Sequence, residues 1–438
     1  MMAIDIARNA LHIGAYCFCV VFDGAFADNN QQSTAYEVVI VGGGLSGLST
    51  AYGLKHKKTL ILEKQSRLGG RVETNRKTGI TYELGALFSY PKNLIPFDFV
   101  QAPLILEGGP VGFHYNGKLY FGQKVSEAID SLFECPRREY NGDRFTCKSL
   151  GMKSLSAVRH SLNNAFFNVI HPGNIGNYIL ERKSDAFTTW NTDHYLDGNL
   201  GLIEEFTKRL NAEISLNSNV ISVQKKNDHV VTVYLKERRV HRVTSRAVVV
   251  ATQANVANKI IADKNSKSSE LLSSVKYGSG MVVVIGLRNS QLKPFRYLVT
   301  PGSEFNTVFM RKTSQDGTML LTVYYTGEAA IKFAGKNKAV IVERTISQIA
   351  RLGVGNINLN DILFTDVKFW KELGTIINTQ AYENFSDNAL VPAHGVFLVG
   401  DYTFWSTNKM PYGMAAAIKS GIRSAKLVEE FLETPKID

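Results

Sequence analysis

The sequence predicts an α/β fold, a largely parallel sheet carrying helices, with a second mixed α+β part inserted discontinuously into it. Three observations predict it. Tyr36 to Val41 reads YEVVIV, an apolar strand that breaks at once into Gly42, Gly43, Gly44, Leu45, Ser46 and Gly47 and then into a helix-compatible run through Leu54. Thr59 to Leu62 is a second apolar strand, ending on Glu63, nineteen residues past Gly44. Far along the chain, Ser245 to Ala251 (SRAVVVA) reads as another buried strand, ended by the polar Thr252 and Gln253.

Gly42, Gly44 and Gly47 satisfy G-x-G-x-x-G in a strand-turn-helix setting, which makes the first domain Rossmann-like. Gly42 permits the tight turn, Gly44 lets backbone approach a pyrophosphate, and Gly47 lets the helix pack closely on the sheet. Leu45 and Ser46 open the helix, where unpaired N–H groups and the helix field favour phosphate charge. Glu63 is placed to accept hydrogen bonds from adenosine ribose hydroxyls, with Lys64 beside it. An acid there repels a 2′-phosphate, so the adenosine is expected to be unphosphorylated.

The 438 residues leave room for two or three folding units, and 44% hydrophobic with 20% charged residues excludes a disordered polyelectrolyte and a polytopic membrane protein. The formal charge of +11 reads as a solvated basic surface, without a nucleic-acid partner. There is no clustered Cys/His ligand set, no G-x-S-x-G elbow and no Walker-type lysine motif, so no metal site, serine hydrolase or P-loop chemistry is expected. Arg8, the apolar run Leu11 to Phe22 and the small-x-small pattern Ala25, Phe26, Ala27 predict a signal peptide over residues 1–27. The mature chain is then periplasmic or secreted, with no membrane span; an uncleaved N-terminus leaves it cytoplasmic. Cys17 and Cys19 fall within the leader, leaving Cys135 and Cys147 either as one disulfide or as two free thiols.

The stretches LILEKQSRLGGRVETNR and YELGALFSY carry a more specific likeness. Through Gly69, Gly70, Arg71, Glu83, Gly85 and Ala86, the chain resembles the flavin-containing amine oxidase and protoporphyrinogen oxidase superfamily. The resemblance implies FAD, with Gly70 and Arg71 along the pyrophosphate and flavin, Gly85 and Ala86 near them, and Val220 offering its backbone near adenine. In FLVGDYTFWSTNKMPYGMAAAIKSGIRSAKLVEEFL it places Gly400 at a sharp exit, Asp401 by the ribityl chain, and Gly413 and Met414 beside the pyrimidine edge of the flavin. A helix N-terminus there suits the negative charge of reduced flavin. Glu83 reads as a holder of backbone N–H groups.

Residues 35–90, 196–260 and 386–433 are expected to form the FAD-binding domain, and 91–195 with 261–385 a substrate or cap domain. Asp197 to Leu210 reads as a turn followed by an amphipathic helix, and Val220–Gln224 with Val230–Leu235 as a strand pair. Asp263 to Glu270 (DKNSKSSE) reads as an exposed turn. Gly280–Leu287 and Met319–Tyr325 read as substrate-domain strands, Ala329–Ala334 and Ala339–Ile349 as helices, and Met414 through Phe431 as a closing helix.

The family likeness implies oxidation of the carbon next to a neutral amine. Flavin N5 takes a hydride equivalent, and oxygen, or another electron acceptor, completes the cycle with hydrogen peroxide as the oxygen product. Many members carry a lysine near N5, but the matching position here is Gly280 or Met281. Phe404, Trp405 and Tyr412 are candidates for an aromatic wall around a small-molecule substrate, and Trp370 for the active-site side; Lys371 reads as solvated. With no Cys between Lys371 and Gly413, FAD is expected to be noncovalent. Oxidation or desaturation of a nonamine, such as a porphyrinogen or polyene, is the alternative within enzymes, and a flavin-binding partner without turnover the alternative outside them. A homodimer is left open.

Overall fold

A computed structural model of the chain describes residues 36–87, 97, 99, 109–115, 117–122, 124, 198–288, 291–300, 303–313, 318–376, 387–403 and 413–434. The expected leader, all four cysteines, and Phe404, Trp405 and Tyr412 lie outside the described residues.

The chain opens with β1 (Tyr36–Val41), α1 (Leu45–Gly53) and β2 (Thr59–Leu62), then a small hairpin, β3 (Thr74–Lys77) and β4 (Ile80–Glu83). β5 (Gly112–Tyr115) and β6 (Lys118–Phe121) enter a second sheet. The chain returns to the first through α2 (Leu200–Arg209), β7 (Ala212–Ser215), β8 (Asn219–Lys226), β9 (His229–Lys236) and β10 (Arg239–Val250), followed by α3 (Ala254–Ile260) and α4 (Ser266–Ser274). The second sheet is completed by β11 (Lys276–Arg288), β12 (Tyr297–Val299), β13 (Thr307–Lys312), β14 (Thr318–Thr326) and β15 (Ile362–Ile376), with α5 (Glu328–Phe333) and α6 (Lys338–Arg351) between the last two strands. β16 (Val396–Leu398) and α7 (Gly413–Glu433) finish the described fold.

The first sheet has the order β7-β2-β1-β10-β9-β8, with β16 also on β10. β7, β2, β1, β10 and β16 are parallel, whereas β8 and β9 form an antiparallel meander. β10 joins the two regimes: Arg239 to Ser245 pairs antiparallel with β9, and Ser245 to Val250 pairs parallel with β1. Side-chain alternation sorts the apolar run into two cores. Val39, Val41, Leu60, Leu62, Val248 and Val250 face one side; Val38, Ile40, Ile61, Ala247 and Val249 face the other. Burial on both faces is why these strands read as unbroken apolar segments. α1 and α7 lie against each other on the second side, close enough for the Ser49 hydroxyl to reach Ile418 O at 3.2 Å.

Asp263 to Glu270 is not the exposed turn expected of it, because α4 begins within it. The Asn265 side chain accepts from Ser268 N at 2.8 Å, an N-cap, and Leu271 and Leu272 one turn on are buried in the first core. The polar composition concealed a helix whose solvent face is polar and whose apolar face begins only after the segment ends.

The second sheet runs β15-β11-β14-β13-β12-β5-β6. Met281, Val283 and Ile285 of β11 and Leu321, Val323 and Tyr325 of β14 pack with Phe333 of α5 and Ile341 and Ile349 of α6. Intervening residues face the opposite way, where the Tyr324 hydroxyl donates to Gly85 O at 2.8 Å. Among the described residues, no helix is long and apolar enough to cross a membrane.

Candidate functional site

Strand register brings the glycine turn and two acids to one edge. Val41 lies opposite Leu62 and Val250, Val250 opposite Leu398, and Leu62 opposite Ser215. The parallel strands therefore end in a row, and the residues that follow them, Gly42, Glu63, Ala251 and the Val399–Asp401 turn, lie along the edge at which sheets of this kind leave a crevice. Open α/β sheets bind ligands at this carboxyl edge. Gly47 has no alternative: a Cβ there would lie 2.0 Å from Gly42 O. The Gly69–Gly70 turn faces the first one, with Gly69 N donating to Gly43 O at 2.9 Å. A Cβ on Gly44 would meet only Gly70 Cα, at 3.9 Å, so the two side-chain-free turns lie against each other.

At one end of this crevice Glu63 is buried. Its Oε2 accepts from Gly43 N and its Oε1 from Gln65 N, both at 2.7 Å. Each carboxylate oxygen has a further lone pair, so ribose hydroxyls can still be received. Ser218 N donates to Glu63 O at 2.8 Å, the Ser215 and Ser218 hydroxyls are 2.9 Å apart, and Lys236 Nζ donates to Ser215 Oγ at 2.9 Å. Lys64 is exposed beside them. Val220 is buried next to an irregularity in β8 that turns Ile221 outward. The extra residue of such a bulge stands outside the ladder.

In the middle, Arg71 Nη2 donates to Asp401 Oδ1 at 2.6 Å and Nη1 to Leu373 O at 3.2 Å, while the Thr375 hydroxyl donates to Asp401 Oδ2 at 2.6 Å. Burial pushes the Asp401 carboxyl upward, but the Arg71 charge and the bonds from Arg71 and Thr375 outweigh it and hold the group below the usual range. Ala86 N donates to Arg71 O at 3.0 Å, tying the Gly85–Ala86 turn to the same place. Gly400 turns the chain out of the strand edge toward Asp401. Gly413 starts α7 with φ 57°, and the Met414 side chain is buried in the first sheet's second core.

Glu83 is buried and accepts from Asn199 N at 2.7 Å and from the Thr74 hydroxyl at 2.8 Å. It thus holds a backbone N–H, at the start of α2. Burial pushes its carboxyl up to about 7 against these bonds and the smaller effect of the Arg311 charge. Trp370 Nε1 donates to Leu84 O at 2.5 Å, so its polar edge is spent on the turn after β4, and Lys371 is exposed. Gly280 lies opposite Trp370, and a Cβ there would come within 2.2 Å of Leu373 Cδ2. Met281 is 1% exposed within the second core. A side chain at Gly280 would have to displace Leu373, and Met281 is packed into the second core.

Thr375, Leu373, Tyr324 and Asn199 were not visible as site residues in the sequence. Each meets its partner across a long stretch of chain, 302 residues for Arg71 to Leu373, and carries no local motif. Two facing glycine turns, a buried acid at the adenosine end and an ionised acid in the middle suit the ribose, pyrophosphate and ribityl groups of FAD.

Comparison with known proteins agrees with this geometry. A family model described as flavin containing amine oxidoreductase matches residues 106–428, and one for an NAD(P)-binding Rossmann-like domain matches residues 40–95. The chain is similar to L-amino acid oxidase Bs29 of Bothriechis schlegelii, 22% identical over 99% of this chain and 94% of that protein. A shorter likeness, 44% identity over 57 residues, covers 13% of this chain and 12% of pseudooxynicotine dehydrogenase from Pseudomonas sp. Among solved structures, a redesigned putrescine oxidase superposes with TM-score 0.68 at 12% identity, covering 90% of this chain and 99% of that one. A protoporphyrinogen oxidase-like protein from Exiguobacterium sp. 255-15 gives TM-score 0.65 at 14% identity, covering 90% and 98%.

Proposed function

The chain belongs to the flavin containing amine oxidoreductase family, FAD-dependent oxidoreductases, and from that premise we propose that it oxidises an amine to an imine with oxygen as acceptor and hydrogen peroxide as product. The observation that supports this most is the crevice at the carboxyl edge, where two glycine turns face each other between buried Glu63 and the Arg71–Asp401 pair. FAD, when bound there, supplies the two-electron acceptor. The protein's part is to bind, orient and exclude water. Glu63 receives ribose hydroxyls, the first N–H groups of α1 at Leu45 and Ser46 receive phosphate oxygens, and Val220 offers backbone to adenine. Asp401, kept ionised by Arg71, is an acceptor for ribityl hydroxyls. Gly413 and Met414 begin α7, whose N-terminal dipoles favour negative charge at the pyrimidine edge. Attachment is noncovalent. Phe404, Trp405, Tyr412 and Trp370 are assigned to the substrate wall.

A second reading, oxidation of a nonamine such as a porphyrinogen or polyene, is favoured by one observation: Leu373 fills the space over Gly280, and Met281 is core. Anaerobic addition of candidate amines to the yellow holoenzyme tests the first reading, with bleaching of the oxidised flavin band and, in air, peroxide release as the expected result. Bleaching by nonamines alone replaces it with the second.

A further inference from the structure

The turn that presents Gly69, Gly70 and Arg71 is organised around a side chain outside the glycine pattern. Arg67 Nη1 donates to Leu68 O at 3.1 Å and to Val72 O at 2.8 Å; Nη2 donates to Gly70 O at 2.9 Å and to Glu73 Oε2 at 2.5 Å. Three carbonyls of one short turn converge on a single guanidinium. Glu73 also meets Lys368 of β15 at 3.2 Å, so the acid that orients Arg67 is itself held from the second sheet. With its side chain 34% exposed, the Arg67–Glu73 ion pair adds little stability as an ion pair. Its use is directional, since a planar fork can address several acceptors at fixed angles where an ammonium cannot.

The turn has need of such a template. Gly69 and Gly70 stand at φ 104° and 58°, and unrestrained glycines sample many other conformations. In a trans peptide the carbonyl and the following N–H point in opposite directions. Drawing Gly70 O toward Arg67 therefore turns Arg71 N–H away from it. Drawing Leu68 O inward likewise aims Gly69 N–H outward, and that group is the one that reaches Gly43 O in the first glycine turn. The same convergence that satisfies Arg67 thus sets the separation of the two turns.

We infer that Arg67 is a positioning residue: it folds the Gly69–Arg71 turn into its cofactor-ready shape through the backbone, and a lysine cannot replace it. Its relevance to catalysis rests on the FAD reading of the crevice.

The test uses the full chain and its Arg67→Lys and Arg67→Met variants, with two measurements: amide hydrogen exchange of residues 64–74 before FAD is added, and FAD affinity from quenching of flavin fluorescence. Faster exchange confined to the turn is expected in Arg67→Lys, with β1 and α1 protected as in the parent. If the ready shape is then held about a tenth of the time, the dissociation constant for FAD rises about tenfold, because apparent affinity scales with the competent fraction. Arg67→Met, which keeps the stem and loses every donor, should weaken FAD at least as much as Arg67→Lys. Should Arg67→Met fail to fold, the lysine variant and Glu73→Gln, which loosens Arg67 without removing it, carry the comparison. Unchanged exchange in the lysine variant overturns the inference, as does faster exchange with unchanged FAD affinity. A parent chain that binds no FAD overturns the cofactor reading instead, and exchange alone then decides whether Arg67 shapes the turn.

Discussion

Asp401 and Glu83 are both buried carboxylates near the junction of the two sheets, and each receives a threonine hydroxyl, from Thr375 at 2.6 Å and from Thr74 at 2.8 Å. Their titrations nevertheless move in opposite directions. Burial raises both, but Arg71 sits directly on Asp401 at 2.6 Å and brings it below the usual range, whereas the Arg311 charge is the smallest of the effects opposing burial at Glu83 and leaves it at about 7. A cation in direct contact, rather than the number of hydrogen bonds, decides which buried acid is ionised. The difference divides their uses. Asp401 is a constant anionic acceptor beside the proposed ribityl position. Glu83 fastens the start of α2 to the β3–β4 hairpin and changes charge near neutrality.

Breaking the direct pair gives the largest expected effect. Arg71→Met leaves Asp401 buried without its cation, a loss on the order of 3–5 kcal/mol for such sites. Because Arg71 keeps 30% of its side chain exposed, the lower end is expected, read from urea unfolding of the cofactor-free chain. A loss below about 1 kcal/mol, the range of exposed pairs, would mean that Asp401 is sustained by its hydrogen bonds, and the contrast with Glu83 would fail.

Glu83 supplies the next effect through pH. Its carboxyl binds a proton up to about 7 in the folded chain, against an ordinary value of 4.5, so the folded state holds more protons across that window. Stability therefore falls as pH rises from 4.5 to about 7, by about 3 kcal/mol at most at 1.36 kcal/mol per unit. Asp401 contributes no slope there, since its change lies below its ordinary 3.8. Glu83→Gln should flatten the stability profile between pH 5 and about 7. A slope that survives this substitution assigns the proton to another group.

The same contrast explains what could be read from the chain alone. Gly42, Gly44, Gly47 and Glu63 lie within 22 consecutive residues, and each answers a local demand: a turn, a close approach, a helix contact, a strand end. The parallel sheet was legible for the same reason, because burial on both faces leaves unbroken apolar strands. Asp401 had no such local logic and entered only through likeness to a family. Its partner Thr375 was invisible, since a threonine in a strand carries no signal of what lies 26 residues further on across the junction. Gly280 could be noticed as lacking a lysine, but not as roofed by Leu373, because that contact depends on the pairing of β11 with β15. The start of α4 was hidden differently: Asn265 is a cap, but the leucines that bury the helix follow the polar segment.

Thr375→Val is the finest probe of the comparison. It nearly keeps the shape of the side chain and removes only the hydroxyl that reaches Asp401 Oδ2, leaving Arg71 on Oδ1. A hydrogen bond to a charged group contributes roughly 1.5–3 kcal/mol, so a loss of about 2 kcal/mol is expected at neutral pH. The sign with pH follows from the depressed Asp401 carboxyl. Its stabilisation is present above 3.8 and disappears as pH falls through its lower folded value, so the deficit of Thr375→Val should shrink in acid. Thr375→Ser, which keeps the donor, should recover most of the loss. In the Arg71→Met background the cost of Thr375→Val should differ from its cost in the parent, because both groups act on one carboxylate and their effects do not add. Strict additivity, measured by the double-mutant cycle, would show that Thr375 acts by packing alone and that the two buried acids differ less than their surroundings imply.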